Sequence, residues 1–304
     1  MSADATRAIE AALRQAGIDG AIESARELSG GCIHRVMRIT LADGRAVVCK
    51  SNEASMAGVF EEEAAGLAAL DATGTVLVPR VLGVSVQGSE AVLVMTCIEP
   101  GPADEQAWRR LGEELAALHG GDAGSHGRYG FAMDNHLGAT RQVNAWHDDW
   151  VTFNAVNRLG CQVKLARDGG RLDAAEASRL EALIGRLDRF IPRRPKPALL
   201  HGDLWSGNAL PSIDEHGRGH RGRGRIALID PAVHVGDGWA DIAMMRLFGG
   251  FPRACFEAYG AGVGDHDMIE QRIAVYQLYH VLNHVNLFGR GYVGQAMGLV
   301  DGLA

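Results

Sequence analysis

The residues of this 304-residue chain best suited to chemistry lie between Leu199 and Asn208, in the run LLHGDLWSGN. Two leucines that end a buried strand deliver His201, Gly202 and Asp203, and Asn208 follows five residues after the aspartate. In that H-x-D-x-x-x-x-N spacing a carboxylate can orient and deprotonate an attacking hydroxyl, and an amide oxygen can reach a magnesium ion bridging the phosphates of ATP. The chemistry is phosphoryl transfer, with Asp203 as base, Asn208 as metal ligand, and ATP and Mg2+ as the expected ligands. The competing reading is a polar turn after a core strand, and the rest of the chain has to separate the two.

Three further features complete such a centre. Lys50 closes the apolar strand AVVCK, and the helix expected over residues 56 to 71 places Phe60, Ala64, Leu67 and Leu70 on one face with Glu63 beside it. Glu63 is expected to hold the lysine against the α- and β-phosphates, since an unpaired ammonium would not keep its rotamer, while Glu61 and Glu62 read as a solvated face. Asp230 ends the uncharged strand 226 to 229 and is the second metal-ligand candidate. Gly30 and Gly31, between two expected strands, let backbone N–H groups come close to a phosphate, although S-G-G also fits an ordinary turn. Cys32 follows them directly, where a partly exposed thiol near N–H groups favours the thiolate. Asp241 begins the helix DIAMMRLF, either as a cap or as a carboxylate holding the catalytic loop in place.

These groups need a scaffold. Residues 4 to 16 have helical spacing, residues 22 to 28, 33 to 41 and 45 to 50 read as strands of an antiparallel sheet, and 75 to 87 and 91 to 98 read as two more. Glu99-Pro100-Gly101-Pro102 then breaks the pattern. The fold class expected is α+β, with a sheet-built nucleotide-binding lobe over 1–98 and a mainly helical catalytic and acceptor-binding lobe over 99–304. Between them Met95, Thr96, Cys97 and Ile98 would meet the adenine, through backbone N–H and C=O groups from Thr96 onward. A helix over 104 to 119 stops at Gly120-Gly121, and a long polar loop over 122 to 145 carries Asn135, Thr140, Gln142 and Asn144, neutral groups of the kind that read a polyol. Helices are expected over 146 to 167, 172 to 190 and 268 to 288. His280 and His284 on the last read as core or groove histidines and not as zinc ligands. The arginine-rich loop over 214 to 225 reads as a solvated hairpin tip.

Composition narrows the partners. A formal charge of −7 argues against a general nucleic-acid binder. Apolar runs fall short of the roughly 18 residues of a membrane span, and the N-terminus MSADATRAIEAALRQAG has no apolar signal-peptide core, so no membrane partner and a cytoplasmic setting are expected. Five cysteines lack C-x-x-C pairing, which indicates neither a zinc site nor a disulfide framework. Only three of the thirty basic residues are lysines, which makes Lys50 in a motif position more informative.

Together Gly30-Gly31, Lys50, Glu63, the hinge, Asp203, Asn208 and Asp230 occur in kinase order. The words HGDLWSGN, IDPA, DIAMMRLFGGFP, NAWHDDW and YQLYHVLNHVNLFGRGY closely resemble the fructosamine kinase (ketosamine-3-kinase) family of the protein-kinase-like fold, over about residues 28 to 292. The resemblance implies a two-lobed kinase that uses ATP and magnesium to phosphorylate the 3-hydroxyl of a free or protein-bound ketoamine, with Trp205 in the sugar site. Asn135, Gln142 and Asn144 would read the sugar hydroxyls. One departure stands out: the family follows D-P-A with a tyrosine-rich segment and G-H-R-E, whereas this chain has VHVGDGWAD, which places the acceptor in question. A kinase of aminoglycosides or another small hydroxyl compound is the alternative. A polycationic aminoglycoside would need several carboxylates, which Asp148, Asp149 and Asp237 could supply.

Overall fold

Alternation along the first strands decides which side chains face the core and which face the chemistry. A computed structural model describes residues 1–28, 33–213, 224–264 and 266–303. Strands β1 (Ile22–Glu27), β2 (Arg35–Leu41), β3 (Ala46–Glu53), β4 (Val81–Gln87) and β5 (Glu90–Thr96) form an antiparallel sheet in the order β1-β2-β3-β5-β4. Met37, Ile39 and Leu41 of β2 and Val47 and Cys49 of β3 bury one face together with Ile9, Ala12 and Leu13 of helix α1 (Ala3–Gln15). Ser2 caps α1 by accepting from Ala5 N at 3.0 Å, and Gly83 lets its last turn approach the sheet, since a Cβ there would meet Ala12 O at 3.2 Å. Each fully buried leucine or isoleucine contributes about 1.5–3 kcal/mol here. Because strand side chains alternate, Lys50 projects from the opposite face to Cys49. Helix α2 (Ala57–Ala72) buries Phe60, Leu67 and Leu70.

The chain divides into two compact units, Met1–Asp104 with Leu210–Asp230, and Glu105–Ala209 with Pro231–Ala304. A single cut after residue 98 therefore misplaces a segment. Leu210–Asp230 belongs with the sheet-built unit because Gly101 N donates to Pro211 O (3.0 Å), Ile213 N to Glu99 O (3.0 Å) and Leu228 N to Leu77 O (2.8 Å). Thr75 to Arg80, expected as part of a strand, runs irregularly, as Pro79 within it favours.

In the second unit helix α3 (Glu105–Gly120) packs so tightly on the helix Arg253–Gly262 that a Cβ on Gly112 would lie 2.1 Å from Cys255 O. The helix expected from Trp146 begins at Trp150, where Asp149 accepts from Thr152 N at 2.7 Å. It runs α-helical over Trp150–Phe153, π-helical over Asn154–Gly160 and α-helical again over Cys161–Asp168. The loop over 122–145 contains a short hairpin, Asn135–Leu137 with Thr140–Gln142. An unexpected strand, His234–Asp237, pairs antiparallel with Pro197–Leu200, the strand that leads into the catalytic loop. Among the described residues, no helix is long and apolar enough to cross a membrane.

Candidate active site

In the first unit the Lys50 ammonium touches two carboxylates, Glu63 Oε1 and Asp230 Oδ1, each at 2.6 Å. The lysine is 7% exposed, so its charge is stabilised by those partners more than by water. Burial pulls its pKa down, but the charges and hydrogen bonds of Glu63 and Asp230 outweigh that and hold it above the ordinary lysine value. Asp230 has φ +54°, a left-handed conformation that aspartate tolerates better than most residues, and its side chain is half exposed. Sequence reasoning missed His34, whose ring lies tilted against Phe60 with centroids 4.8 Å apart and 3.0 Å from Asn52 Nδ2; burial first, then the Lys50 charge, holds it below the usual histidine value. At the end of β5, Met95 is buried and Thr96 N donates to Arg80 O at 2.9 Å, so the Thr96 N–H is not the adenine donor it was expected to be. Cys97 and Ile98 follow the strand end at intermediate burial. Gly30, Gly31 and Cys32 lie outside the described residues, as does most of the arginine-rich loop.

In the second unit the catalytic loop is fixed through its backbone. Asp241, 1% exposed, accepts from His201 N (2.7 Å) with Oδ2 and from Gly202 N (2.8 Å) with Oδ1, and His119 Nε2 lies 3.2 Å from Oδ2. Of the two roles open to Asp241, holding the loop is the one observed. Burial raises its pKa, but the bonds from His119 and the loop amide prevail and hold it below the usual carboxylate range. Gly202 takes φ +83° against Ala232, where a Cβ would sit 2.0 Å from the carbonyl oxygen, so a side chain is sterically excluded. Asn208 Nδ2 donates to Asp203 O (2.8 Å) and lies 3.3 Å from Asp203 Oδ2. Asp203 and the amide five residues on are thus held together. Trp205 is 42% exposed, with its ring over Gly207, where a Cβ would meet it at 2.2 Å.

Two expectations are corrected. Asn135, Gln142 and Asn144 do not present their amides to solvent: all three are at most 4% exposed. Asn135 Oδ1 accepts from Gln142 Nε2 (2.8 Å) and Asn144 Nδ2 (3.0 Å), Asn135 Nδ2 donates to Val233 O (2.8 Å), and Gln142 Nε2 donates also to Ala232 O (3.0 Å). Tyr279 donates to Gln142 Oε1 and Arg158 to Asn144 Oδ1. Such fully engaged amides support backbone and are not free to read a sugar. The VHVGDGWAD departure is also interior. His234 stacks on Phe153 at 5.9 Å, Asp237 accepts from Tyr276 OH at 2.7 Å, Gly238 leaves room for His119, and Trp239 packs edge-on to Tyr259. The departure therefore repacks a core and does not line an open acceptor surface.

Magnesium is implied by the chemistry; the half-exposed carboxylate of Asp230 in the first unit and the amide oxygen of Asn208 in the second are each, taken separately, a hard oxygen donor of the kind this ion prefers. Among the described residues no group of three or more His, Cys, Asp or Glu forms a metal site of its own.

A buried ammonium between two carboxylates and a backbone-locked aspartate beside an amide are the parts of a kinase that transfers phosphate to a hydroxyl group. A solved structure of a Haemophilus somnus protein assigned as a fructosamine-3-kinase matches with TM-score 0.84 at 26% identity, covering 98% of this chain and 97% of that one. The fold is α+β and protein-kinase-like. The chain belongs to the fructosamine kinase family, whose sequence profile matches residues 5–304. It is 40% identical to a Synechocystis protein named a probable ketoamine kinase, over 92% of this chain and 90% of the relative. It is 35% identical to the chloroplastic protein-ribulosamine 3-kinase of Arabidopsis thaliana, over 90% of this chain and 80% of the relative.

Proposed function

We propose that the protein is an ATP-dependent kinase of the 3-hydroxyl of ketosamines, of the fructosamine and ribulosamine type. The observation that carries the reading is Lys50. A buried ammonium set between Glu63 and Asp230 has no packing role, and its charge suits the phosphates of ATP. The acceptor is supported by the ketoamine and ribulosamine named for the relatives. Asp203 takes the proton of the 3-hydroxyl as its oxygen attacks the γ-phosphorus, and the P–O bond to ADP breaks. Asn208 and Asp230 would each offer an oxygen to magnesium, which when bound would neutralise charge on the phosphates. Cys97 and Ile98 offer backbone groups to the adenine, with Met95 behind them. Trp205, exposed two residues after the base, offers a flat apolar face to the C–H side of the sugar. A phosphate on C3 becomes an allylic leaving group once the ketoamine enolises toward C1, so the product loses phosphate and then its amine, and the outcome is deglycation. A cytoplasmic setting, where ATP is plentiful, goes with this reading.

The aminoglycoside alternative loses its support in the side chains. Asp237 is buried on Tyr276, Asp149 is committed to Thr152 and Arg193, and Asp148 is a solvated partner of Arg128. Assay of ATP consumption with magnesium across fructosamines, ribulosamines and aminoglycosides tests the reading. The highest kcat/KM is expected for a ketoamine; an aminoglycoside as the best substrate would overturn it.

A further inference from the structure

Two closely packed helices of the second unit enclose a short chain of hydrogen bonds that ends on the loop of Asp203. Tyr259 OH lies 3.1 Å from His119 Nδ1, and His119 Nε2 lies 3.2 Å from Asp241 Oδ2, the oxygen that also accepts from His201 N at 2.7 Å. All three side chains are buried, where such bonds are strongest. Glycines build the chain in. Gly112 and Gly262 sit where the helices Glu105–Gly120 and Arg253–Gly262 touch, and a Cβ on Gly262 would lie 2.6 Å from the Ala116 Cβ. Gly238 makes room for His119, since a Cβ there would lie 2.9 Å from three atoms of that side chain. His119 and Trp239 each meet the Tyr259 ring edge-on, with centroids 5.6 and 5.4 Å away, a packing that phenylalanine would satisfy equally well. The hydroxyl therefore needs a different reason.

Which atoms can donate decides the direction of the chain. An ionised carboxylate only accepts, and Asp241 is held below the usual carboxylate range, so Nε2 of His119 has to carry a hydrogen for its contact to be a bond. A neutral imidazole with its hydrogen on Nε2 has a lone pair on Nδ1, which accepts from Tyr259 OH. Burial first, then the charges of Asp237 and Asp241, pushes the Tyr259 hydroxyl well above the usual tyrosine value, so it stays a donor. Without that hydroxyl the hydrogen is free to move to Nδ1, and Nε2 would turn a lone pair on Asp241 Oδ2. Repulsion there acts on the carboxylate that holds both loop amides, His201 N through Oδ2 and Gly202 N through Oδ1, immediately before Asp203.

We propose that Tyr259 is a positioning residue for phosphoryl transfer: its hydroxyl holds His119 in the tautomer that donates to Asp241, and so keeps the loop of Asp203 in place. Tyr259 is buried, so it offers substrates no surface and acts on the reaction through His119 and Asp241. Gly238 and Trp239, two of the residues by which VHVGDGWAD departs from the family pattern, thereby shape the support of the loop. The role rests on the kinase reading of Asp203 and adds a distant residue to it.

The test is a double-mutant cycle on the full chain, with kcat and both KM values measured on a ketoamine and the melting temperature alongside. Tyr259→Phe keeps the ring and removes the bond, and kcat is expected to fall about 5- to 20-fold while the KM for ATP and for the ketoamine stay within about twofold. His119→Gln turns an amide N–H toward Asp241 that no tautomer can withdraw, so adding Tyr259→Phe to it should change kcat by less than about twofold. Unchanged kcat in Tyr259→Phe, with or without a lower melting temperature, overturns the proposal, as does an equal loss in both backgrounds. A readout independent of turnover is the nitrogen NMR spectrum of the histidine side chains in the unmodified protein, with His119 assigned by its loss in His119→Gln. A hydrogen on Nε2 alone is expected, and a hydrogen on Nδ1 overturns the proposal without touching the kinase reading. An unmodified enzyme that phosphorylates neither a ketoamine nor an aminoglycoside overturns the kinase reading, and the positioning role with it, whatever that spectrum shows.

Discussion

The two regions proposed to carry the chemistry are held by different forces. Lys50 is placed by charge, between two carboxylates at 2.6 Å, whereas Asp203 is placed by backbone, on a loop whose amides are tied to Asp241 and whose Gly202 is wedged against Ala232. A charge-held group can be removed with limited loss of fold where its partners can relax: Asp230 is half exposed, and Glu63, whose burial already raises its pKa, can take up a proton once the ammonium is gone. A backbone-held group transmits damage to its supports, because each lost acceptor strands a buried N–H. The difference teaches where activity and stability should separate.

The sharpest way to break the comparison is at the two chemical groups themselves. Asp203→Asn should lower kcat by about 10²–10⁴ with little change in melting temperature, and Lys50→Met should likewise cost far more activity than stability. A Lys50→Met protein that melts much earlier but keeps its specific activity would show that the ion triad is structural. The next effect falls on a support. Asp241→Asn keeps the shape but turns an NH2 toward donors, and should destabilise the protein by about 2–4 kcal/mol in urea unfolding. A loss below about 1 kcal/mol would mean the loop is not held as described. The smallest effect is in acid. His280 is held near 3 by burial and then by His284, so the native state refuses a proton that the unfolded chain accepts below its ordinary value of 6.5. Unfolding free energy therefore falls as pH drops from about 6.5 toward 3. All five tryptophans lie in the second unit, so their fluorescence reports that unit alone. His280→Gln should lower the acid midpoint by about half a pH unit, and an unmoved midpoint would assign the acid sensitivity elsewhere.

How far the amino-acid sequence could be read follows the same divide. Lys50 and Glu63 were legible because strand alternation and helical spacing are local, and each places its side chain without help from distant residues. The pairing of Asp203 with Asn208 was legible because a spacing of five residues in a tight loop is local. Asn135, Gln142 and Asn144 were misread because a neutral amide in a polar loop has the same sequence signature whether it meets water or a buried carbonyl. The strand His234–Asp237 went unnoticed because its partner lies more than thirty residues away and Gly236 interrupts its pattern. Gly236 was the one available signal: a Cβ there would lie 2.5 Å from the Trp150 ring, and a glycine within a strand often marks such an approach. Arg158 gave no signal, since nothing in its neighbours distinguishes a π-helical turn from an α-helical one.

That turn also sets how this chain can change length. A π-helical stretch carries one more residue than the α-helix around it needs, so losing a single residue between Ala155 and Gly160 would heal the hydrogen-bond ladder locally. The helical geometry would improve and the residues beyond would keep their facing, because the wider π turn is what absorbs the extra residue. Gly160, whose position admits no Cβ because Ala155 O would lie 2.3 Å away, would no longer need to be glycine. A deletion that makes the helix more regular would thus cost the chain the inward setting of Asn154, Asn157 and Arg158 that the wider turn provides.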